Sequence, residues 1–318
     1  MRRLALLLLL AFPRLVLATC TQTDAYSTLI CSLSPLHYYR FDATSGTSET
    51  DLGSLADNGT YSGTFTLQVA GIPSVTDKAV SYGGGGTGKL IESSSNADTR
   101  GPSTSNGVGW TFLTWIHTTG GFGTAKTFGN RYSAGGCYQW IFNTQTSPAG
   151  QLTLTYYNNT CAGLSANTLT GANLANDTTY LVGFSSLGNG TNIDTELCLN
   201  GASQATQSNK PIFANASTTT ATSWGRDGDA TYQSNLAFID EGATFPSKLA
   251  CATTQASIYN CGHVGACAGG AYTDGLYMSG KLEFGPKIPK PLDEGLKKLK
   301  AYWERPVHGV IVPSIFHP

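Results

Sequence analysis

The sequence predicts an all-β protein in which two antiparallel sheets pack face to face, and three observations support this. Charged residues make up 12% of the 318-residue chain, about half of their usual share in soluble domains. Glycine is abundant, with 38 copies, and Thr, Ser, Tyr and Asn dominate the remainder, which is typical of strands and turns. Short alternating segments recur at close spacing, as in a sandwich or jelly roll.

The chain begins with the features of a secretory signal peptide. Arginines precede an apolar run over residues 4–12, and Ala18 ends a plausible cleavage site. The run is too short to span a membrane. We therefore expect residues 1–18 to be removed and the protein to be secreted, without stable membrane insertion. A lipoprotein anchored at Cys20 is the alternative, although Thr19 is an unfavourable residue before a lipidated cysteine.

Acceptor sites for N-linked glycans agree with export. Five asparagines stand in Asn-x-Ser/Thr tripeptides: Asn58, Asn158, Asn176, Asn189 and Asn215. Together with the leader they predict a glycoprotein in which these five stretches lie on the surface.

The cysteine count predicts disulfides. The chain has eight: Cys20, Cys31, Cys137, Cys161, Cys198, Cys251, Cys261 and Cys267. In an exported protein an even count indicates disulfide bonds rather than metal ligands, but the count alone allows 105 pairings. We expect neighbours to pair, Cys20 with Cys31, Cys137 with Cys161 and Cys251 with Cys261, which leaves Cys198 and Cys267.

The predicted elements follow one another closely. Residues 19–34 form a short polar segment. The strand-like segments that follow are LHYYRFD (36–42), TFTLQVAGI (64–72), KAVSYG (78–83), GWTFLTWIHTT (109–119), CYQWIFNT (137–144), GQLTLTYYN (150–158), TTYLVGFSS (178–186), TELCLNG (195–201) and LAFIDEGATF (236–245). In residues 109–119, apolar side chains occupy both alternating faces, which predicts a central strand. One short helix is expected within residues 248–260.

The pattern changes after residue 265. Residues 266–318 read as a Gly- and Pro-rich linker followed by a basic tail. A second helix is predicted in this tail, because Leu292, Leu296, Leu299 and Trp303 are spaced along one helical stripe. The body, residues 19–280, is acidic and gives no electrostatic footprint for nucleic acid.

A glycine-rich stretch raises the alternative of a nucleotide-binding loop. Gly83, Gly88 and Lys89 match most of the phosphate-binding pattern, but Leu90 stands where a Ser or Thr should hold Mg²⁺. No helical periodicity follows, and export is the wrong context for a nucleotide hydrolase. We therefore expect a turn between strands and no nucleotide partner.

Five segments in order resemble the laminin-G-like, concanavalin A-type lectin/glucanase domains. They are HYYRFDATSG, DKAVSYGGGGTGKLIE, WTFLTWIHT with its inner tryptophan Trp115, TELCLNG, and LAFIDEGATFPSKLACATTQASIY. The resemblance implies a two-sheet antiparallel jelly roll over residues 35–265, whose faces or rim loops bind sugars or proteins.

The resemblance also requires a test for catalysis, since some relatives cleave glucans with carboxylates spaced along one strand. That Glu-x-Asp-x-x-Glu pattern is absent. Asp240 and Glu241 are adjacent and so are expected to face opposite ways, with a structural role. Asp194 and Glu196 have same-face spacing but lack a third acid. No Gly-x-Ser-x-Gly elbow occurs, and the five histidines show no triad context. We expect no catalytic residue.

Calcium is the one cofactor that the sequence suggests, since several domains of this type bind it at a rim. Asp227 and Asp229 flank a glycine turn with Asn235 nearby, and hard cations prefer such oxygens. The competing interpretation is a tight turn whose carboxylates bond the backbone.

Carbohydrate binding would use aromatic rings beside polar groups. Tyr132, Trp140, Trp224 and Tyr232 fit this description. The alternative is that these rings fill the core of the sandwich, which needs large residues.

The sequence thus predicts a secreted, glycosylated binding or adhesion module without catalysis. Carbohydrate is the first ligand class and an extracellular protein the second. A glucan hydrolase of the same fold is one alternative, and a structural protein of a cell coat or virion is the other.

Overall fold

The computed structural model describes residues 20, 23–72, 78–83, 87–92, 101–119, 121–133, 137–157, 166–212, 221–226, 236–265 and 267. The described residues form two antiparallel sheets of eight strands each, with two short helices. The predicted two-sheet sandwich is therefore confirmed, and its arrangement is consistent with a jelly roll. The predicted signal peptide, residues 1–18, and almost all of residues 266–318 lie outside the described residues, as does the helix predicted over residues 292–303.

The first sheet has the strand order β14-β13-β12-β7-β16-β5-β4, and β1 pairs with β16. Its strands are β1 (His37–Tyr39), β4 (Thr66–Ala70), β5 (Lys78–Ser81), β7 (Gly109–Thr118), β12 (Thr179–Gly188), β13 (Ile193–Leu199), β14 (Ala202–Lys210) and β16 (Leu236–Phe245). Strand β7 lies between β12 and β16, so its predicted central position is confirmed.

The second sheet has the order β11-β10-β9-β8-β15-β6-β3-β2. Its strands are β2 (Ser48–Glu49), β3 (Gly59–Ser62), β6 (Lys89–Ile91), β8 (Thr127–Ser133), β9 (Cys137–Thr146), β10 (Ala149–Tyr157), β11 (Ala166–Asn173) and β15 (Ala221–Gly225). Lys89 begins a strand, so the helix that a phosphate-binding loop requires does not follow Gly88, as predicted.

Aromatic side chains fill the space between the sheets, which we call the sandwich core. Trp110 and Phe112 of β7 enter it from the first sheet, and Trp140 and Trp224 enter it from the second. The Phe112 and Trp224 rings stack with centroids 4.3 Å apart. Stacked and edge-on aromatic pairs of this kind add to the stabilisation from apolar burial.

The opposite face of the first sheet carries a second apolar cluster, which we call the helix-covered cluster. Leu113 and Trp115 of β7 point into it because alternate strand residues face opposite ways. Trp115 Nε1 donates to the Tyr26 hydroxyl at 2.9 Å. The expectation that Trp115 is the inner tryptophan was therefore wrong, since Trp110 occupies the space between the sheets.

Two helices cover this cluster. Helix α1 (Ala25–Ser32) begins at a capping box in which Asp24 accepts from the Ser27 N–H at 2.7 Å. Helix α2 (Ala256–Val264) follows a π-helical turn (Cys251–Gln255) and ends at Gly265, whose φ of 69° suits glycine. The short helix predicted within residues 248–260 is thus confirmed, although it begins and ends later.

Three disulfides lie on the helical side of the first sheet. Cys20 pairs with Cys31 as expected. Cys251 pairs with Cys198 of β13, and Cys261 pairs with Cys267, so the predicted pair between Cys251 and Cys261 was wrong. The reason is that β13 lies beneath the π-helical turn, which brings together cysteines 53 residues apart. The predicted pair of Cys137 and Cys161 lies outside the described residues.

No helix in the described part of the chain is both long and apolar enough to cross a membrane.

Candidate functional site: the polar face of the second sheet

The two outer faces of the sandwich differ in chemistry. The outer face of the first sheet is apolar around β7 and β16, where helices cover it, whereas the second sheet is polar on its outer face. In β9, Trp140 and Phe142 enter the sandwich core, so Ile141 and Asn143 point outward. Residues that pair directly across neighbouring strands share a face, so the partners of Ile141 and Asn143 on β8 and β10 also point outward, as does the residue of β15 that pairs with β8 in the same row. We call the set the polar face: Thr127, Asn130, Ile141, Asn143, Thr153, Thr155 and Ser223.

The centre of the polar face is buried and its margins are exposed. Thr127 and Asn130 are 0% exposed and Asn143 is 3% exposed. At one margin, Thr168 of β11 pairs with Thr155 of β10 and is exposed. At the other margin, Thr60 of β3 is exposed.

Three oxygens at this centre have no hydrogen-bond partner within the described part of the chain. They are Thr127 Oγ1, Asn130 Oδ1 and Asn143 Oδ1. A buried polar atom without a partner destabilises a fold by about 1–3 kcal/mol. Trp110 Nε1 and Trp140 Nε1 in the sandwich core also lack a partner among the described residues. The polar face differs in that its three unpaired oxygens lie on one outer face of a sheet, where a bound ligand or water can satisfy them. Since Asn143 pairs with Thr127 across the β8–β9 ladder, two of the three are direct neighbours.

The amide of Asn130 has a fixed orientation. Its Nδ2 donates to the main-chain carbonyl of Arg226 at 3.3 Å. Reversal of the amide would place two oxygens against each other, so Oδ1 must be the atom directed away from Arg226. Asn130 therefore presents an acceptor at the polar face.

The aromatic residues predicted for carbohydrate binding do not contribute to this face. Trp140 and Trp224 are 0% exposed in the sandwich core. Neither ring can stack on a sugar, which corrects the expectation for both. The physical reason is that their strands alternate, and these positions face inward. The side chain of Tyr132 and all of Tyr232 lie outside the described residues.

The proposed calcium ligands also lie outside the described part of the chain: Asp227, Asp229 and Asn235. Among the described residues, no group of three or more His, Cys, Asp or Glu side chains is arranged to hold a metal ion.

The adjacent acids of β16 have structural partners. Asp240 Oδ2 accepts from the Ile72 N–H at 3.0 Å, and Glu241 accepts from the Tyr38 hydroxyl. Their expected structural role agrees with these contacts. Their expected opposite orientation was wrong, because a bulge between Asp240 and Ala243 inserts a residue, with Glu241 at φ 47°. Both carboxylates therefore contact the side of the sheet that carries the helix-covered cluster.

The acids of β13 share a face, as their spacing predicts. Asp194 and Glu196 alternate with Ile193 and Leu197 of the sandwich core, so both point outward. Asp194 Oδ1 accepts from the Asn209 N–H at 2.7 Å, which fixes the neighbouring strand.

A buried histidine network was missed by sequence reasoning. His37 Nδ1 lies 2.8 Å from Asp51 Oδ2, and His37 Nε2 lies 3.8 Å from Glu92 Oε2. Trp224 Nε1 donates to the other Glu92 oxygen at 2.9 Å. Asp51 also accepts from three main-chain N–H groups, including Tyr38 at 2.8 Å. All four side chains are buried, so the network ties strands and turns together. Its members are 14 to more than 100 residues apart, and no local motif marks them.

A second buried acid lies close by on β2. Glu49 Oε2 accepts from the Tyr61 hydroxyl at 2.6 Å. Burial raises the pKa of the Glu49 carboxyl from its usual 4.5 to about 7, although the bond from Tyr61 acts in the opposite direction.

Three of the predicted glycosylation sites are described, and their side chains are exposed: Asn58, Asn176 and Asn189. Their expected surface position is confirmed. Asn158 and Asn215 lie outside the described residues.

Comparisons with known proteins support the fold. No protein-family model matches the chain, and no curated protein matches it. A solved receptor-binding domain superposes on 75% of this chain and 53% of its own, with a TM-score of 0.50 and 12% identity. This likeness agrees with the two-sheet sandwich.

Two further solved structures are similar at lower scores. The binding domain of botulinum neurotoxin serotype G matches 71% of this chain and 50% of its own, with a TM-score of 0.46 and 9% identity. Domain 4 of AbnA, an extracellular arabinanase from Geobacillus stearothermophilus, was solved in complex with arabinotriose. It matches 71% of this chain and 98% of its own, with a TM-score of 0.48 and 15% identity. The chain spans about half the length of the toxin binding domain.

Proposed function

We propose that the protein is a secreted, glycosylated binding module that recognises carbohydrate on a cell or matrix surface through the polar face, without catalysis. The observation that carries the proposal is the set of three buried, unpaired oxygens on Thr127, Asn130 and Asn143. A sugar presents many hydroxyl groups on a compact ring, and these can satisfy several such atoms at once. Hydrogen bonds formed at a buried position are strong because water does not compete for them.

The test compares two threonine variants of the full chain on a glycan array, followed by calorimetry with the best ligand. Thr127→Val removes an unpaired hydroxyl of the polar face while keeping its shape. We expect the affinity to fall about tenfold, which corresponds to one ordinary hydrogen bond.

Thr111→Val is the matched control. Thr111 is also a fully buried strand residue, but its hydroxyl donates to the Ser247 carbonyl at 2.7 Å in the first sheet. We expect this variant to bind glycan as the parent does. Equal affinity of the Thr127→Val variant and the parent protein would exclude the polar face as the site.

The absence of catalysis is a separate part of the proposal. We expect no release of reducing sugar from mixed β-glucans. Activity that disappears in the Glu196→Gln variant would instead identify a hydrolase.

A further inference from the structure

We infer that the ligand of the polar face is an uncharged glycan whose hydroxyl groups donate to the protein. This inference rests on the proposed function and specifies the chemical class of its ligand. It follows from the type of hydrogen-bonding atom that the face presents and from the charges around it.

The unpaired atoms call for a donor. Asn130 Oδ1 and Asn143 Oδ1 are acceptors only, and Thr127 Oγ1 can accept as well as donate. Carboxylate and sulfate groups have no proton to donate at neutral pH, so they cannot pair with the amide oxygens. A sugar hydroxyl can donate to each of them.

The charge distribution also disfavours an acidic ligand. The seven residues of the polar face are all uncharged, and its centre is buried. An anion placed there would lose its hydration without gaining a cationic partner, which is strongly unfavourable. The nearest described cations are Arg131 and Lys126, which are next to Asn130 and Thr127 in the chain. Arg131 pairs with Trp140 of the sandwich core, so strand alternation directs its side chain away from the polar face. Lys126 Nζ donates to the Thr119 carbonyl. At Arg226 it is the main-chain carbonyl, an acceptor, that contacts Asn130.

Ile141 provides the apolar part of the face. It lies between Asn130 of β8 and Thr155 of β10 in the same row and is nearly fully buried.

The first experiment uses the full chain on an array of glycan pairs that differ only by a sialic acid or a sulfate group. We expect neutral members to bind and each added acid group to weaken binding at least tenfold. Preferential binding of acidic members that is lost in Thr127→Val would overturn this inference while the proposed function stands. If no glycan binds at all, the proposed function fails and this inference fails with it.

The second experiment asks which partner donates. Each hydroxyl of the best neutral ligand is replaced in turn by fluorine, which cannot donate, or by hydrogen. At the contacting positions we expect both replacements to weaken binding about equally, by tenfold or more, in calorimetry. Retained affinity of every fluorinated analogue would show that the ligand does not act as a donor and would refute the inference.

Discussion

Glu49 on β2 gives the protein a pH-dependent stability. Its folded pKa of about 7 exceeds the usual 4.5, so the folded state favours the protonated form. The stabilisation is complete below about pH 4.5 and is lost as the pH rises through 7. The shift corresponds to about 3 kcal/mol.

We expect Glu49→Gln to remove this part of the pH dependence, because the amide oxygen still accepts from Tyr61 and carries no charge. Urea unfolding between pH 5 and pH 8 measures it: the free energy of unfolding should fall by about 3 kcal/mol more in the parent than in the variant. Glu196→Gln, at a partly exposed position on β13, is the control and should behave as the parent. Identical pH profiles of the Glu49→Gln variant and the parent would contradict the assignment.

The polar face leads to an unusual expectation for stability. In the absence of ligand, Thr127→Val should raise the free energy of unfolding by about 1 kcal/mol, because it removes an unsatisfied buried hydroxyl. Thr111→Val should lower it by about 1–3 kcal/mol, because it leaves the Leu249 N–H, which donates to Thr111 at 2.9 Å, without its partner. Chemical denaturation measures both variants. A loss of stability in Thr127→Val as large as that in Thr111→Val would show that its hydroxyl is satisfied.

At the scale of elements, Arg40 joins helix α1 to strand β16. Its guanidinium lies 2.6 Å from Asp24 Oδ2 at the start of the helix and 3.2 Å from Glu241 Oε1 at the bulge. Arg40 and Glu241 are both buried, so removal of one partner leaves the other charge in a medium of low polarity.

We expect Arg40→Met to lower the free energy of unfolding by about 3–5 kcal/mol. The double variant Arg40→Met/Glu241→Gln should recover part of this loss, because it removes the uncompensated charge as well. Asp177→Asn, which breaks the mostly exposed pair with His117, should change stability by less than about 1 kcal/mol. An Arg40→Met variant as stable as Asp177→Asn would show that this contact does not hold the helix.

The elements show how far local sequence determines the fold. Alternation over residues 109–119 predicted both faces of β7, because each side chain direction follows from strand geometry alone. Strict alternation failed at Glu241, because β16 has a bulge there. The bulge arises from the pairing of β16 with β7, which the sequence of β16 alone does not show. Alternation also could not tell which face of β7 meets the second sheet, and Trp115 was therefore assigned to the wrong one.

In the described part of the chain, helices and disulfides reinforce one face of the first sheet. Helix α1, helix α2 and three disulfides all lie on the helical side of the first sheet. A disulfide that closes a longer loop restricts the unfolded chain more.

We expect Cys198→Ser/Cys251→Ser to lower the free energy of unfolding by about 4 kcal/mol and Cys20→Ser/Cys31→Ser by about 3 kcal/mol, because their loops span 53 and 11 residues. Urea titration of both variants tests this order. Peptide mapping of the non-reduced parent provides the control, and a Cys251–Cys261 peptide would contradict the pairing.

The disulfides and the polar face also show what the sequence could not provide. Cys198 and Cys251 meet because β13 passes beneath the π-helical turn, which is a property of the topology and not of cysteine spacing. Asn130 and Asn143 are ordinary polar residues in strand segments, and only the register of β8 with β9 makes them neighbours of Thr127. The one local signal was the alternation of Trp140 and Phe142 with Ile141 and Asn143.

The opposite placement of the helices and the polar face has an evolutionary consequence. Among the described residues, side chains that point outward from β8, β9 and β10 fill no part of the sandwich core. These side chains can be replaced while the sandwich core stays the same. A lineage can therefore acquire a new ligand preference through substitutions on the outer face of the second sheet alone. Directed evolution from a library restricted to those strands would draw on the same freedom.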